Sequence, residues 1–177
     1  GSGCFWGTKI EKMIIPDSVK SMESETFYSC KNLKEIRYPE GITQILSSDC
    51  AWCPLLEKVY LPKSVEVIWG SFNHCDGIKE VMLPENVEII EDISFFECKN
   101  LEKVYICSRK ITSIGRKAFT YASENLTIYV PKGMGEKYKE LAKKYTKFGY
   151  YAEDLEYIEK ITWQEVEDDE WDELLAG

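Results

Sequence analysis

The chain has 177 residues, 44% of them apolar and 30% charged, with a formal net charge of −9. That composition supports one substantial core or one repeat array with a cap, and it excludes an intrinsically disordered chain. No run of eighteen apolar residues occurs, so no membrane insertion by a helix is expected.

The first residues, Gly1-Ser2-Gly3, read as a remnant of cloning, and Cys4 to Ile15 reads as the back half of a repeat. The array is therefore expected to begin further upstream, where any targeting segment would lie. From Ser18 a phrase is legible: Val19, Met22, Phe27, Cys30, Leu33, Ile36, Pro39. It returns as Ile42, Ile45, Cys50, Cys53, Leu56, Val59, Pro62, and then in two further turns ending at Pro84 and Cys107. A looser turn closes on Leu126, Ile128 and Pro131. Prolines at 16, 39, 62 and 84 give steps of 23, 23 and 22 residues. A fixed period of this size marks a solenoid whose units bury their apolar edges only against each other.

Each phrase carries one short alternating stretch before its proline, as in Glu35-Ile36-Arg37-Tyr38 and Lys58-Val59-Tyr60-Leu61. Alternation is the period of a half-buried strand, and proline ends the pairing because it has no N–H to give. The expected fold is an α/β solenoid: a right-handed superhelix with one parallel strand per ~23-residue repeat. The two residues opening each strand reverse sign from turn to turn, from Glu11-Lys12 and Lys34-Glu35 to Glu102-Lys103. Stacked about 4.8 Å apart, such columns set opposite charges side by side. A one-repeat slip would set like against like, so the pattern reads as structural.

After Pro131 the phrase stops. Gly133 and Gly135 mark a break, and residues 136–147 read as a lysine-rich helix. Residues 151–162 fit a helix or one more strand. Segment 163–175 places Trp163, Val166, Trp171, Leu174 and Leu175 on one broad helical face, and it is expected to be helical. Residues 163–177 hold seven acids and no base, leaving the body of the chain at only −2. A near-neutral body with an acidic end argues against nucleic acid as a partner. The end is either a docked cap or a peptide that binds another protein. The domain reading is a solenoid over 4–133 and a helical C-terminal cap with an acidic tail over 134–177.

Seven cysteines in 177 residues invite a disulfide or metal reading. Cys30, Cys53, Cys75 and Cys98 share one register, however, and cysteine serves well as a small buried hydrophobe. They are expected to be buried and unpaired. Cys50-Ala51-Trp52-Cys53 has the spacing of redox and zinc sites, with His74-Cys75 one turn on. The register turns the thiols inward and His74 outward. His74 is the only histidine, and no base is paired with it in the sequence. Neither an enzyme activity nor a cofactor or metal is expected.

The repeated phrase, from Leu-Pro-x-x-Val-x-x-Ile through Phe-x-x-Cys to Val-x-Leu-Pro, resembles the BspA-like leucine-rich repeats over residues 4 to about 133. Cys50 for phenylalanine, Cys107 for proline and Ala122 for cysteine depart from it, and the acidic tail lies outside it. The resemblance implies a non-enzymatic protein-binding module that is secreted or displayed at a cell surface. Thiol-rich turns, by contrast, suit a reducing cytoplasm. The other reading is a scaffold or targeting array of a larger protein whose active domain lies toward the N-terminus.

Between the two core residues of each strand sits one outward position: Ile14, Arg37, Tyr60, Met82, Tyr105 and Tyr129 in successive turns. The core does not require these identities. Large apolar and aromatic residues with an arginine are the types enriched at binding hot spots. At about 4.8 Å per strand they would form one solvent-facing stripe. Arg37, Tyr60, Met82, Tyr105 and Tyr129 are therefore the expected contact residues for a protein or peptide partner of a monomer.

Overall fold

A computed structural model describes residues 1–144 and 152–176. Strands β1 (Lys12–Ile14), β2 (Glu35–Arg37) and β4 (Lys58–Tyr60) form one parallel sheet, and β3 (Gln44–Ile45) lies between β2 and β4 in the chain. Further along come β5 (Val67–Ile68), β6 (Glu80–Leu83), β7 (Ile89–Ile90), β8 (Lys103–Ile106), β9 (Ser113–Ile114) and β10 (Thr127–Pro131). In register, β6, β8 and β10 continue the long face, while β3, β5, β7 and β9 form a separate parallel ladder of two-residue strands. Each repeat from Ile42 on thus contributes its expected long strand and a second, very short one, while the repeat from Ser18 to Pro39 contributes the long strand alone.

The long face is broken once. No ladder hydrogen bond joins β4 to β6, and this is where the proline spacing falls from 23 to 22 residues. Gly77 lies at the same step. A Cβ there would stand 2.6 Å from the Leu56 carbonyl oxygen, so the two turns approach each other closely only because the residue is glycine.

Inside the turns, the phenylalanines stack from repeat to repeat. Phe72 and Phe95 lie 5.5 Å apart, and Phe95 and Phe119 lie 5.7 Å apart, nearly parallel. Cys50 interrupts this column with a smaller side chain. Tyr38, where later turns carry Leu61, Leu83 and Ile106, fills the space and meets Phe72 edge-on at 6.4 Å. Filling that gap with a ring avoids a cavity, which would cost about 24 cal/mol per Å³.

The side opposite the long sheet turns sharply. Glu25, Ser29, Ser48, Trp52, His74, Ile93, Glu97, Lys117 and Tyr121 all have positive φ, between 54° and 61°. With Gly70, which also has positive φ, they come in pairs four residues apart, one pair per turn. For L-residues this conformation costs roughly 1–2 kcal/mol each, and the stacked core around it must supply that energy.

Beyond β10, helix α1 (Gly135–Lys143) covers the last turn with Tyr138 and Ala142 buried, and the Tyr138 hydroxyl donates to the Ser108 carbonyl at 2.8 Å. Part of the expected lysine-rich helix, residues 145–147, lies outside the described residues. Helix α2 (Ala152–Lys160) follows.

The expected helix through 163–175 is corrected. Thr162–Val166 is a strand, β11, paired parallel with β10 from Thr127↔Thr162 to Pro131↔Val166. Only Trp171–Ala176 is helical, as α3. The reason is the open edge of β10, which would otherwise leave backbone groups without partners. Trp163 still packs on the core and Val166 is buried, as expected of those two side chains.

Candidate interaction face

Register brings the outward column together as the sequence predicts. Ile14 stands beside Arg37 and Arg37 beside Tyr60; across the break, Met82 stands beside Tyr105 and Tyr105 beside Tyr129. Gln164 of β11 extends the column past Tyr129. Sequence reasoning missed it, because its place depends on a strand pairing that the repeat does not encode.

The column is not uniformly exposed. Ile14, Tyr60 and Met82 show 56%, 49% and 42% of their surface, and Arg37 is exposed as well. Tyr105 is only 8% exposed and Tyr129 is half-buried, which corrects the expectation that all six face solvent. The two rings stack at 4.9 Å, 19° from parallel. Burial raises the Tyr105 hydroxyl above its ordinary value, so it remains a neutral donor. A groove of about 790 Å³ runs along this face. Tyr60, Met82, Tyr105 and Tyr129 line it together with Leu174 and Leu175 of α3.

Alternating charges frame the column. Lys12 pairs with Glu35 at 2.9 Å and Lys34 with Glu11 at 3.0 Å. Glu35 stands beside Lys58, and Glu80 beside Lys103. Exposed pairs of this kind contribute about 0.2–1 kcal/mol each, so they set register more than they hold the fold.

The cysteine column does more than fill space. Cys30, Cys53, Cys75 and Cys98 are all fully buried and unbridged. Each thiol donates to a carbonyl of the preceding turn: Cys30 to Phe5 at 3.0 Å, Cys53 to Phe27 at 3.2 Å, Cys75 to Cys50 at 3.0 Å and Cys98 to Phe72 at 3.1 Å. Burial pushes Cys53 and Cys98 up to about 12, which keeps the protons these bonds need. Raised thiols of this kind are poor nucleophiles and poor metal ligands.

Cys50 and Cys53 are not joined, and no cluster of three or more metal-ligating side chains occurs among the described residues. His74 faces outward. Its ring stacks on Trp52 at 3.8 Å, meets Phe96 edge-on at 5.6 Å and places Nδ1 3.3 Å from Glu97 Oε2.

One buried ionisable group stands apart. Asp49 occupies the position held by Ser71 and Ser94 in the following turns, whose hydroxyls donate to Ile45 and Ile68 carbonyls at 3.1 Å. A carboxylate cannot donate in that way. Instead Tyr38 donates its hydroxyl to Asp49 Oδ2 at 2.6 Å, while Oδ1 has no hydrogen-bond partner. Burial raises the Asp49 carboxyl from 3.8 to about 6, an effect that Tyr38 and Thr26 offset only in part.

Parallel strands repeating every 22 or 23 residues over a column of stacked phenylalanines define a leucine-rich-repeat solenoid. Residues 1–127 match the BspA type leucine rich repeat region in six copies, and the chain belongs to that family, whose repeats commonly mediate protein interactions and are typically non-enzymatic. Solved structures share the fold. A leucine-rich cell surface protein of Faecalibacterium prausnitzii superposes with a TM-score of 0.68 at 23% identity, over 76% of this chain and 35% of its own. A leucine-rich repeat protein of Bacteroides ovatus gives 0.65 at 24% identity, over 92% and 44%. The leucine-rich repeat protein of T. pallidum gives 0.63 at 21%, over 70% and 60%. The chain thus spans between 35% and 60% of the length of these structures. No protein of curated function matches it.

Proposed function

We propose that this chain is a non-enzymatic interaction module that binds a protein or peptide through the outward face of its long sheet. Residues 4–133 form the binding array and 134–177 its C-terminal cap. The observation that carries the reading is the exposure of Ile14, Tyr60 and Met82 in one column beside Arg37. No core contact requires large apolar side chains at these positions. Tyr129 and the edge of Tyr105 complete the contact set. The body works as a monomer at the cell surface or outside the cell, in keeping with its cell-surface structural relative.

Immobilised wild-type chain and a Tyr60→Ala–Met82→Ala variant serve as parallel baits, and a retained protein is then titrated against both. The expected result is a loss of about 2 kcal/mol or more in the variant, with an unchanged melting temperature. Equal affinity for both baits refutes the sheet-face reading. Tyr105 does not belong in that test, because its buried, stacked ring makes Tyr105→Ala a stability change as well.

A further inference from the structure

The chain's own C-terminus shares the groove that runs along the outward column. After β11 the backbone turns back: the Lys132 amide donates to the Val166 carbonyl at 3.0 Å, Lys132 pairs with Glu167 and Arg109 pairs with Asp168. Glu170 then accepts from the Glu167 amide at 3.2 Å and starts the turn into α3. Trp171 lines a small groove with Cys107, Arg109 and Pro131, while Leu174 and Leu175 line the larger one with Tyr105 and Tyr129. An acidic stretch thus meets the basic side chains at this end, and a Trp-x-x-Leu-Leu sequence supplies apolar anchors on either side of it.

That segment is held weakly. A helix of six residues is far too short to persist alone. Its two anchoring ion pairs are exposed, so salt screens them. The strands beneath keep their ladder bonds whether or not α3 is seated, so its departure costs the solenoid little.

We propose that the outward face at β8, β10 and β11 is an acceptor for a short acidic helix with tryptophan and leucine anchors, filled in cis by residues 167–176. An external acidic helical segment of the same chemistry binds there only as this one leaves. This rests on the sheet-face reading above and adds the partner's chemistry and its self-masking.

The probe is a fluorescent synthetic peptide of the sequence 166–177, titrated by anisotropy against two full-length chains, wild type and Leu174→Glu–Leu175→Glu. The unmasked variant is expected to bind it roughly tenfold or more tightly than wild type. Binding is expected to weaken between about 50 and 500 mM NaCl and to vanish when Arg109→Glu and Lys132→Glu are added. Equal binding to both chains, or no binding to the variant, overturns the proposal. Hydrogen exchange on the unmodified chain gives a second measure: amides of 171–176 should exchange faster in the higher salt, and unchanged exchange also overturns it. No partner protein enters either measurement. A failed peptide titration with an intact Tyr60–Met82 effect therefore sinks only this proposal, and the converse sinks only the general one.

Discussion

Replacing Asp49 by asparagine should change the pH dependence of stability more than stability itself. In the native chain the Asp49 carboxyl holds its proton up to about pH 6, whereas an ordinary aspartate releases it near 3.8. At pH 8 the group is ionised in both states, and the folded state bears the cost of a buried charge with one unpartnered oxygen. As pH falls through 6 the folded state binds a proton before the unfolded one does. The contribution of Asp49 therefore grows from pH 6 down to about 4, and is lost again as pH rises through 6. A shift of about two units corresponds to roughly 3 kcal/mol in full and to about 2 kcal/mol between pH 8 and pH 4. Asparagine keeps an oxygen for the Tyr38 hydroxyl and removes the titration. Its amide has no assured acceptor at the Oδ1 position, an offset of about 1–3 kcal/mol that does not vary with pH. Urea denaturation of both proteins at pH 4 and pH 8 separates the two effects, and both conditions stay clear of the isoelectric point near 4.8. The difference in unfolding free energy between variant and wild type should move in favour of the variant by about 2 kcal/mol from pH 4 to pH 8. Parallel behaviour at the two pH values would refute a buried, proton-linked Asp49.

Cys75→Ser should cost about 1 kcal/mol or less, because the Cys50 carbonyl that accepts the thiol at 3.0 Å also accepts a hydroxyl. Cys75→Ala, which removes the donor and leaves a small cavity, should cost about 1–2 kcal/mol; chemical denaturation ranks the two, and the reverse order would show the thiol to be a filler only. Ser29→Gly and Ser48→Gly relieve positive φ values of 59° and 56° and should each stabilise by about 0.5–1 kcal/mol after the entropy of glycine is counted. Ser71→Gly removes buried hydrogen bonds to Ile45 and Leu46 and should destabilise; calorimetric melting temperatures moving the same way in all three would contradict the strain assignment.

The solenoid was legible because its signal is local and repeated: each turn restates which positions face the core, so Phe72, Cys75, Val81 and their equivalents fell into register from spacing alone. Three features carry no such signal. The two-residue strands ending at Ile45, Ile68, Ile90 and Ile114 are too short to show a period. The positive-φ positions hold Glu, Ser, Trp, His, Ile, Lys and Tyr, with glycine at Gly3, Gly7 and Gly70, so the stacking of turns more than residue preference imposes them. Thr162–Val166 satisfies helical spacing through Trp163 and Val166 and shows no clean strand alternation, since those two residues lie on opposite faces of the strand. The free edge of β10, more than thirty residues earlier in the sequence, decides the matter.

The same distance effect explains why the candidate face was read as one stripe. Identity and direction of Tyr60 and Tyr105 follow from the repeat, but the stacking of Tyr105 on Tyr129, and the tail that shares their groove, are set by no repeat position. Departures from a repeat therefore need to be read together. Cys50 leaves a gap in the phenylalanine column, Tyr38 fills it and brings a hydroxyl into the core, and Asp49, where neighbouring turns have serine, accepts from that hydroxyl. Taken singly, each is a defect in the pattern. Taken as a set, the three restore packing and hydrogen bonding in that turn, at the cost of one carboxyl whose charge the fold resists. Restoring the repeat at Cys50 alone would drive a phenylalanine into the space of Tyr38, so the three positions should tolerate change only in concert.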